Sequence, residues 1–366
     1  MPRPLRLACL GGLVPAAALL ALVLAACTVN PVPTPAAPQG VAGTDAVATR
    51  SDASAAADGP TTGDLALAPA GDAAAEDGAT ASDAKPTGPT PVVGFVPVTL
   101  TDAAIDPQFG DHCVASLPNT LGSGRLVVFL PGTGAAPKDY QPIVTEAARM
   151  GHRALGLAYP NDQAVAALCG EESTCYEFVR HEVLDGQNRS PKVAIKLVDS
   201  IQHRLVAALQ HLDKARPAEG WGSFLSGSTL KWAQVTVAGH SLGAGHAAFI
   251  GRQYSVARVA MFAGVVDSTA MGPAAWVNNL HATPAAKYFG LAHTADTVYA
   301  KINANWTALG LGATRTDIDH TPGPWNTAQG LVATNPLNTA HDGVAKGGPA
   351  PSTPKLPAAW RHVIGL

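Results

Sequence analysis

Residues 235–249 read VTVAGHSLGAGHAAF, and within them Ser241 stands between Gly239 and Gly243 in the pattern G-x-S-x-G. An alcohol is a poor nucleophile at neutral pH, so a serine that does covalent chemistry needs a base and a backbone that holds its side chain clear of its surroundings. Small neighbours meet the second need. Gly239, Gly243 and Gly245 permit a sharp turn from strand to helix, with the serine at the helix N-terminus, where unpaired N–H groups face the reacting centre. The first need points to histidines and carboxylates further along the chain. Two apolar runs, ARVAMFAGVVD and KYFGLAHTAD, end on Asp267 and Asp296, and beyond Asp296 stand His320, His341 and His362. His341 lies in PLNTAHDGVA, a polar loop ahead of small residues, which suits a side chain that must reach back across the end of a sheet. His320, in TDIDHTPGP, fits a solvated loop residue and stays an alternative base, and His362 falls on a terminal helix, AAWRHVI. His240 and His246 flank the serine. The elbow points the first away from Ser241 and the second lies one helical turn on, so both are expected to pack or support.

The elements that must position these residues alternate in type. RLVVFLPGTG, residues 125–134, is a continuous apolar run that suits a strand buried on both faces of a parallel sheet. Residues 138–150 carry Tyr140, Ile143, Val144 and Ala147 at helical spacing, and HRALGLAYP, ending at Pro160, reads as the next strand. The stretch from 161 to 190 shows no clear period and reads as a long loop, expected to form part of the wall of the site. Ser190 and Pro191 then read as an N-cap and first-turn proline for a helix bearing Ile195, Val198, Ile201, Leu205, Leu209 and Leu212, closed by Pro217. AQVTVAGH is the strand into the serine turn and LGAGHAAFIGRQ the helix out of it. The two runs ending on Asp267 and Asp296 read as further strands. The expected fold class is therefore α/β, a mostly parallel central sheet with helices on both faces. In such sheets ligands bind beyond the carboxyl ends of the strands, where Thr133, Ser241, Asp267 and Asp296 all fall.

Residues 125–345, with GHSLG, the earlier LPGTG loop and the order Ser, acid, His, resemble the α/β-hydrolase superfamily of lipase and esterase type. GWGSFL, GHAAF and the cysteine-bearing loop resemble more narrowly a group of exported bacterial α/β hydrolases. The resemblance implies Ser241 as nucleophile, His341 as base and Asp296 as acid, with Asp267 the alternative acid taken from the preceding strand end. It implies an oxyanion hole made by the backbone N–H groups of Leu242 and Thr133. The implied activity is cleavage of small-molecule carboxylic esters through an acyl-enzyme, without cofactor or metal. The alternatives are a non-catalytic envelope lipoprotein using the fold as a binding module, and an acyltransferase or polyester depolymerase with the same triad.

The N-terminal part has a different character. Arg3 and Arg6 precede an apolar run from Leu10 to Val23, and LAAC closes at Cys27, which resembles the lipobox of bacterial lipoproteins. This implies a signal peptide over 1–26, a lipidated Cys27 and an exported protein held at the cell envelope. Thr28 after the cysteine favours the outer membrane if the host is Gram-negative. Residues 27–92 read as a tether, since 28–92 hold no aromatic residue, Ile or Met, and carry eight acidic residues against Arg50 and Lys85. Residues 93–366 read as the hydrolase domain. A net charge of −3 without a basic cluster argues against a nucleic-acid partner. Export implies an oxidising compartment, where Cys169 and Cys175 are close enough to form a disulfide and Cys113 is left free and buried. The Cys/His spacing resembles no zinc site.

Overall fold

The structure, a computed structural model, describes residues 90–118, 124–347 and 355–365. The signal segment, Cys27 and the tether as far as residue 89 lie outside the described residues. Nine strands form one sheet: β1 (Val92–Val96), β2 (His112–Ser116), β3 (Leu126–Leu130), β4 (Arg153–Gly156), β5 (Val235–His240), β6 (Arg258–Phe262), β7 (Tyr288–His293), β8 (Thr316–Asp317) and β9 (Gly330–Ala333). Their order is β1-β2-β4-β3-β5-β6-β7-β9-β8. β1 and β2 pair antiparallel, as do β2 and β4, and every other neighbouring pair is parallel. This is the α/β-hydrolase arrangement. β3, β5 and β7 are buried at every position. A central parallel strand has both faces covered, which is why these runs are apolar without alternation.

The helices that cover the sheet fall into two groups. α1 (Gln141–Arg149) packs on β2 and β4 and against the C-terminal helix, α7 (Leu356–Ile364), which also covers β6 and β7. In the other group, α3 (Ser173–Asp185) packs on α4 (Ile201–Ala215) and on α5 (Leu242–Gln253), and α5 lies on β3, β5 and β6. α6 (Tyr299–Ala308) follows β7. β3 has β4 on one side and β5 on the other, so the chain reverses direction across the sheet there. The loop after β3 and the turn after β5 meet at that switch point, where an open α/β sheet leaves a crevice.

Three expectations are corrected. The stretch from 161 to 190 is helical for much of its length, with α2 (Val165–Cys169) ahead of α3. Its period is hidden because α3 buries Arg180 and Glu182 among its apolar residues. Arg180 pairs with Asp267, and the Glu182 carboxylate accepts from the backbone N–H groups of Arg189, Ser190 and Ile195. Those bonds also move the start of the next helix. The chain after Ser190 is held to Glu182, so α4 begins at Ile201 with Ser200 as its N-cap, whose hydroxyl accepts from His203 N–H at 3.3 Å. Ser190 and Pro191 do not start a helix, and Ile195 and Val198 precede α4. Finally, the run expected to end on Asp267 is strand only to Phe262, and residues 263–267 leave the sheet.

Candidate active site

The turn at Ser241 follows from one backbone hydrogen bond and two close contacts that only glycine permits. Ser241 has φ 52° and ψ −115°, an unfavourable conformation for a residue with a side chain, and its N–H is fixed to the carbonyl of Phe262 at 2.8 Å. α5 crosses so close over β3 and β5 that a Cβ on Gly239 would lie 2.3 Å from the backbone of Gly243, and one on Gly243 would lie 2.0 Å from the carbonyl oxygen of Leu130. Only glycine fits at either position. The turn therefore presents Ser241 above the end of the sheet and leaves the first N–H groups of α5 facing outward.

Two distant segments reach this serine. Asp296 lies just after β7 and His341 in the loop after β9. Ser241 Oγ donates to His341 Nε2 at 2.8 Å, and His341 Nδ1 donates to Asp296 Oδ2 at 2.6 Å. A carboxylate can only accept, so Asp296 sets the tautomer and leaves Nε2 free to take a proton. The other Asp296 oxygen accepts from the N–H of Val298 at 3.0 Å. Burial alone would disfavour the charged carboxylate, but the bonds from His341 and Val298 outweigh it and hold the pKa below its ordinary value. The His341 side chain is 34% exposed, so the base faces the open side of the site.

The loop after β3 lies against the elbow. A Cβ on Gly132 would come within 3.3 Å of Ser241 Cβ. Within 132–135, Gly132 N–H donates to the Tyr140 hydroxyl, Gly134 N–H to the carbonyl of Asn161, and Ala135 N–H to the carbonyl of Gly132. The N–H of Thr133 is the one left without a backbone or side-chain acceptor among the described residues. The Asn161 side chain binds the carbonyls of Gly132 and Ala135 at 2.7 and 2.8 Å and keeps the loop in this shape. Thr133 and Leu242 thus each carry a backbone N–H on one of the two segments that meet at the serine.

His240, expected to pack or support, and Tyr140, whose part the sequence did not show, tie these segments together. The Tyr140 hydroxyl accepts from Gly132 N–H at 3.0 Å and donates to His240 Nδ1 at 2.9 Å, and His240 Nε2 donates to the backbone carbonyl of His341 at 3.0 Å. One neutral tautomer of His240 satisfies the whole chain. Burial, with His341 nearby, lowers its pKa to about 4. The loop carrying Thr133 and the loop carrying His341 are thus joined through the residue before the nucleophile. His240 and Tyr140 are 100 residues apart, and nothing in their spacing marks the pair.

The remaining candidates lie elsewhere. Asp267 is fully buried, accepts from Arg180 Nε at 2.5 Å and Nη2 at 2.6 Å and from the Trp276 indole at 2.8 Å, and does not reach His341. His320, its side chain 72% exposed, pairs with Asp317 at 2.7 Å. His362 is held by the carbonyl of Ala328. Cys169 and Cys175 form a disulfide joining α2 to the first turn of α3, and Cys113 is free and buried. A cavity of about 270 Å³ lies beside the elbow, its apolar wall made by Val165 and Leu168 of α2, Val179 and Val183 of α3, and Leu242 of α5, with His246 and charged residues such as Asp162 and Lys196 also in its lining. The stretch after Asn161 thus supplies two helices to the wall of this cavity, with the disulfide between them.

Comparison with protein-family models gives no match, and comparison with curated proteins gives none. Among solved structures the chain is similar to one from Klebsiella pneumoniae, provisionally named a dienelactone hydrolase. The identity is 12%, the TM-score 0.39, and the likeness covers 74% of this chain and 95% of that one. The site stands on its own geometry.

Proposed function

We propose that this chain is a serine hydrolase that cleaves carboxylic esters through an acyl-enzyme. The observation that carries the reading is the unbroken relay from Ser241 Oγ through His341 to Asp296, at 2.8 and 2.6 Å, on a turn whose backbone strain exposes the serine. Ser241 Oγ attacks the ester carbonyl carbon as its proton passes to His341 Nε2, and Asp296, still ionised, stabilises the imidazolium. The negative oxygen of the tetrahedral intermediate accepts from the N–H groups of Leu242 and Thr133, each worth about 3 kcal/mol in the transition state. Collapse expels the alcohol, which takes the proton from His341. Water then attacks the acyl-serine, gives a proton to the same nitrogen, and the acid departs as Ser241 regains its proton.

The test is Ser241→Ala assayed with p-nitrophenyl acetate, together with mass analysis of wild-type protein treated with a fluorophosphonate. The expected results are loss of turnover in a folded variant and a single adduct on Ser241. Retention of more than about a thousandth of wild-type turnover would reject the nucleophile. We also propose, from the sequence, that Cys27 carries a lipid that holds the enzyme at the cell envelope. Cys27→Ala should then move the protein to the soluble fraction or leave an unprocessed precursor.

A further inference from the structure

One group in the cavity beside the elbow has no part in the relay. His246 lies four residues after Leu242 on α5, hence one turn further along the same face, and it lines the cavity although it is only 1% exposed. Its Nδ1 is enclosed and has no hydrogen-bond partner among the described residues. The neighbours that could have served it are engaged elsewhere. Tyr159, whose ring meets the imidazole edge-on at 5.5 Å, donates its hydroxyl to the carbonyl of Pro131. Arg180 is held by Asp267 and by the carbonyl of Leu242. Buried polar groups are nearly always paired, so an imidazole that lines a cavity with no partner for its buried nitrogen is open to a polar atom from a ligand there. Burial and the nearby Arg180 guanidinium push the His246 pKa well below its ordinary value, so the ring is neutral and offers one donor and one acceptor.

The direction of the substrate follows from the relay. The leaving alcohol must take its proton from His341, so it lies on the His341 side, which is open. The cavity borders Leu242 and neither Ser241 nor His341, so the substituent that reaches it past Leu242 is the one directed away from His341, the acyl chain. Resting on the ester-hydrolase reading, we infer that the cavity holds the acyl chain and that His246 hydrogen-bonds an oxygen substituent, a hydroxyl or a keto group, on that chain. One helical turn is about 5.4 Å, which puts the substituent near the third to fifth carbon. The substrate class is thus oxygenated short-chain acyl esters rather than plain alkanoates.

The test compares p-nitrophenyl pentanoate with p-nitrophenyl levulinate, its γ-keto analogue, on the full chain. In the wild type, kcat/KM should favour the levulinate by about tenfold or more, because the alkyl chain leaves the imidazole unpaired. His246→Phe should erase that preference and His246→Gln should keep part of it. Turnover with the same ratio in wild type and His246→Phe overturns the inference alone. If His246→Phe does not fold, Val183→Phe decides: by filling the cavity it should raise the preference for acetate over pentanoate about tenfold, and an unchanged preference overturns the inference. Absence of turnover of all these esters, with no fluorophosphonate adduct on Ser241, would overturn the ester-hydrolase reading and this inference with it.

Discussion

Two carboxylates follow the elbow in the chain, and Asp267→Asn and Asp296→Asn should separate their roles by opposite effects. Asp267 accepts three hydrogen bonds in a fully buried position, two from Arg180 and one from Trp276. The amide has the same shape but no charge, so it leaves Arg180, its side chain 1% exposed, without a counter-ion beneath α5. Removing one partner of a buried pair costs about 3–5 kcal/mol. At about 2–4 °C per kcal/mol for a domain of this size, Tm should fall by about 6–20 °C. The remaining folded enzyme should keep kcat within about tenfold, since Asp267 touches neither Ser241 nor His341. Asp296→Asn should behave the other way. Its amide oxygen can still accept from Val298 N–H, which limits the loss of stability, but His341 loses its charged acceptor and the imidazolium formed during reaction loses its partner. A loss of about 10⁴ in kcat is expected, about 5.5 kcal/mol of barrier. Steady-state kinetics on p-nitrophenyl acetate and calorimetry on the same samples give both numbers. The reasoning fails if Asp296→Asn keeps kcat within tenfold, or if Asp267→Asn loses it by thousands at unchanged Tm.

Gly243→Ala should yield no stable folded protein, because its Cβ would lie 2.0 Å from Leu130 O and neither backbone can retreat; circular dichroism and a turnover assay check this, and a folded active variant would refute it. Cys169→Ser should cost about 2 kcal/mol through the small loop it opens, yet raise KM for pentanoate several-fold by loosening Val165 and Leu168 against Val179 and Val183; a mass map of wild type with both thiols free under oxidising conditions would sink it. His240 has its pKa lowered to about 4 by burial, so between that pH and about 6.5 the unfolded chain binds more protons than the folded one. Its contribution is therefore intact above about pH 6.5 and falls as pH drops toward about 4, by about 3 kcal/mol. Stability measured against pH should show a flatter slope in that window for His240→Gln, and an unchanged slope would refute the assignment.

The local parts of the site were legible because local sequence determines them. Gly239 and Gly243 around Ser241 mark a close crossing of helix over strand, and the unbroken apolar runs of β3, β5 and β7 mark strands covered on both faces. The pairing of Cys169 with Cys175 needs only a short loop. The α2–α3 segment was misread because periodicity reports apolar burial, and α3 instead buries charged residues whose partners, such as Asp267, lie far along the chain. The start of α4 was misplaced for the same reason, since it is set by the Glu182 carboxylate rather than by Ser190 and Pro191.

What the sequence determined by itself was the elbow, the alternation of strands and helices that builds a parallel sheet, and a short set of acids and bases able to serve the serine. Tertiary structure alone decided which of them meet. Asp296 and not Asp267 reaches His341, across 45 residues; Tyr140 and His240 join two loops across 100; and His246 turns from a helix-packing residue into a cavity-lining one whose buried Nδ1 has no partner among the described residues. The physical reason is that propensity and periodicity act over a few residues, whereas a hydrogen bond of under 3 Å between distant segments exists only after the sheet order has set their positions.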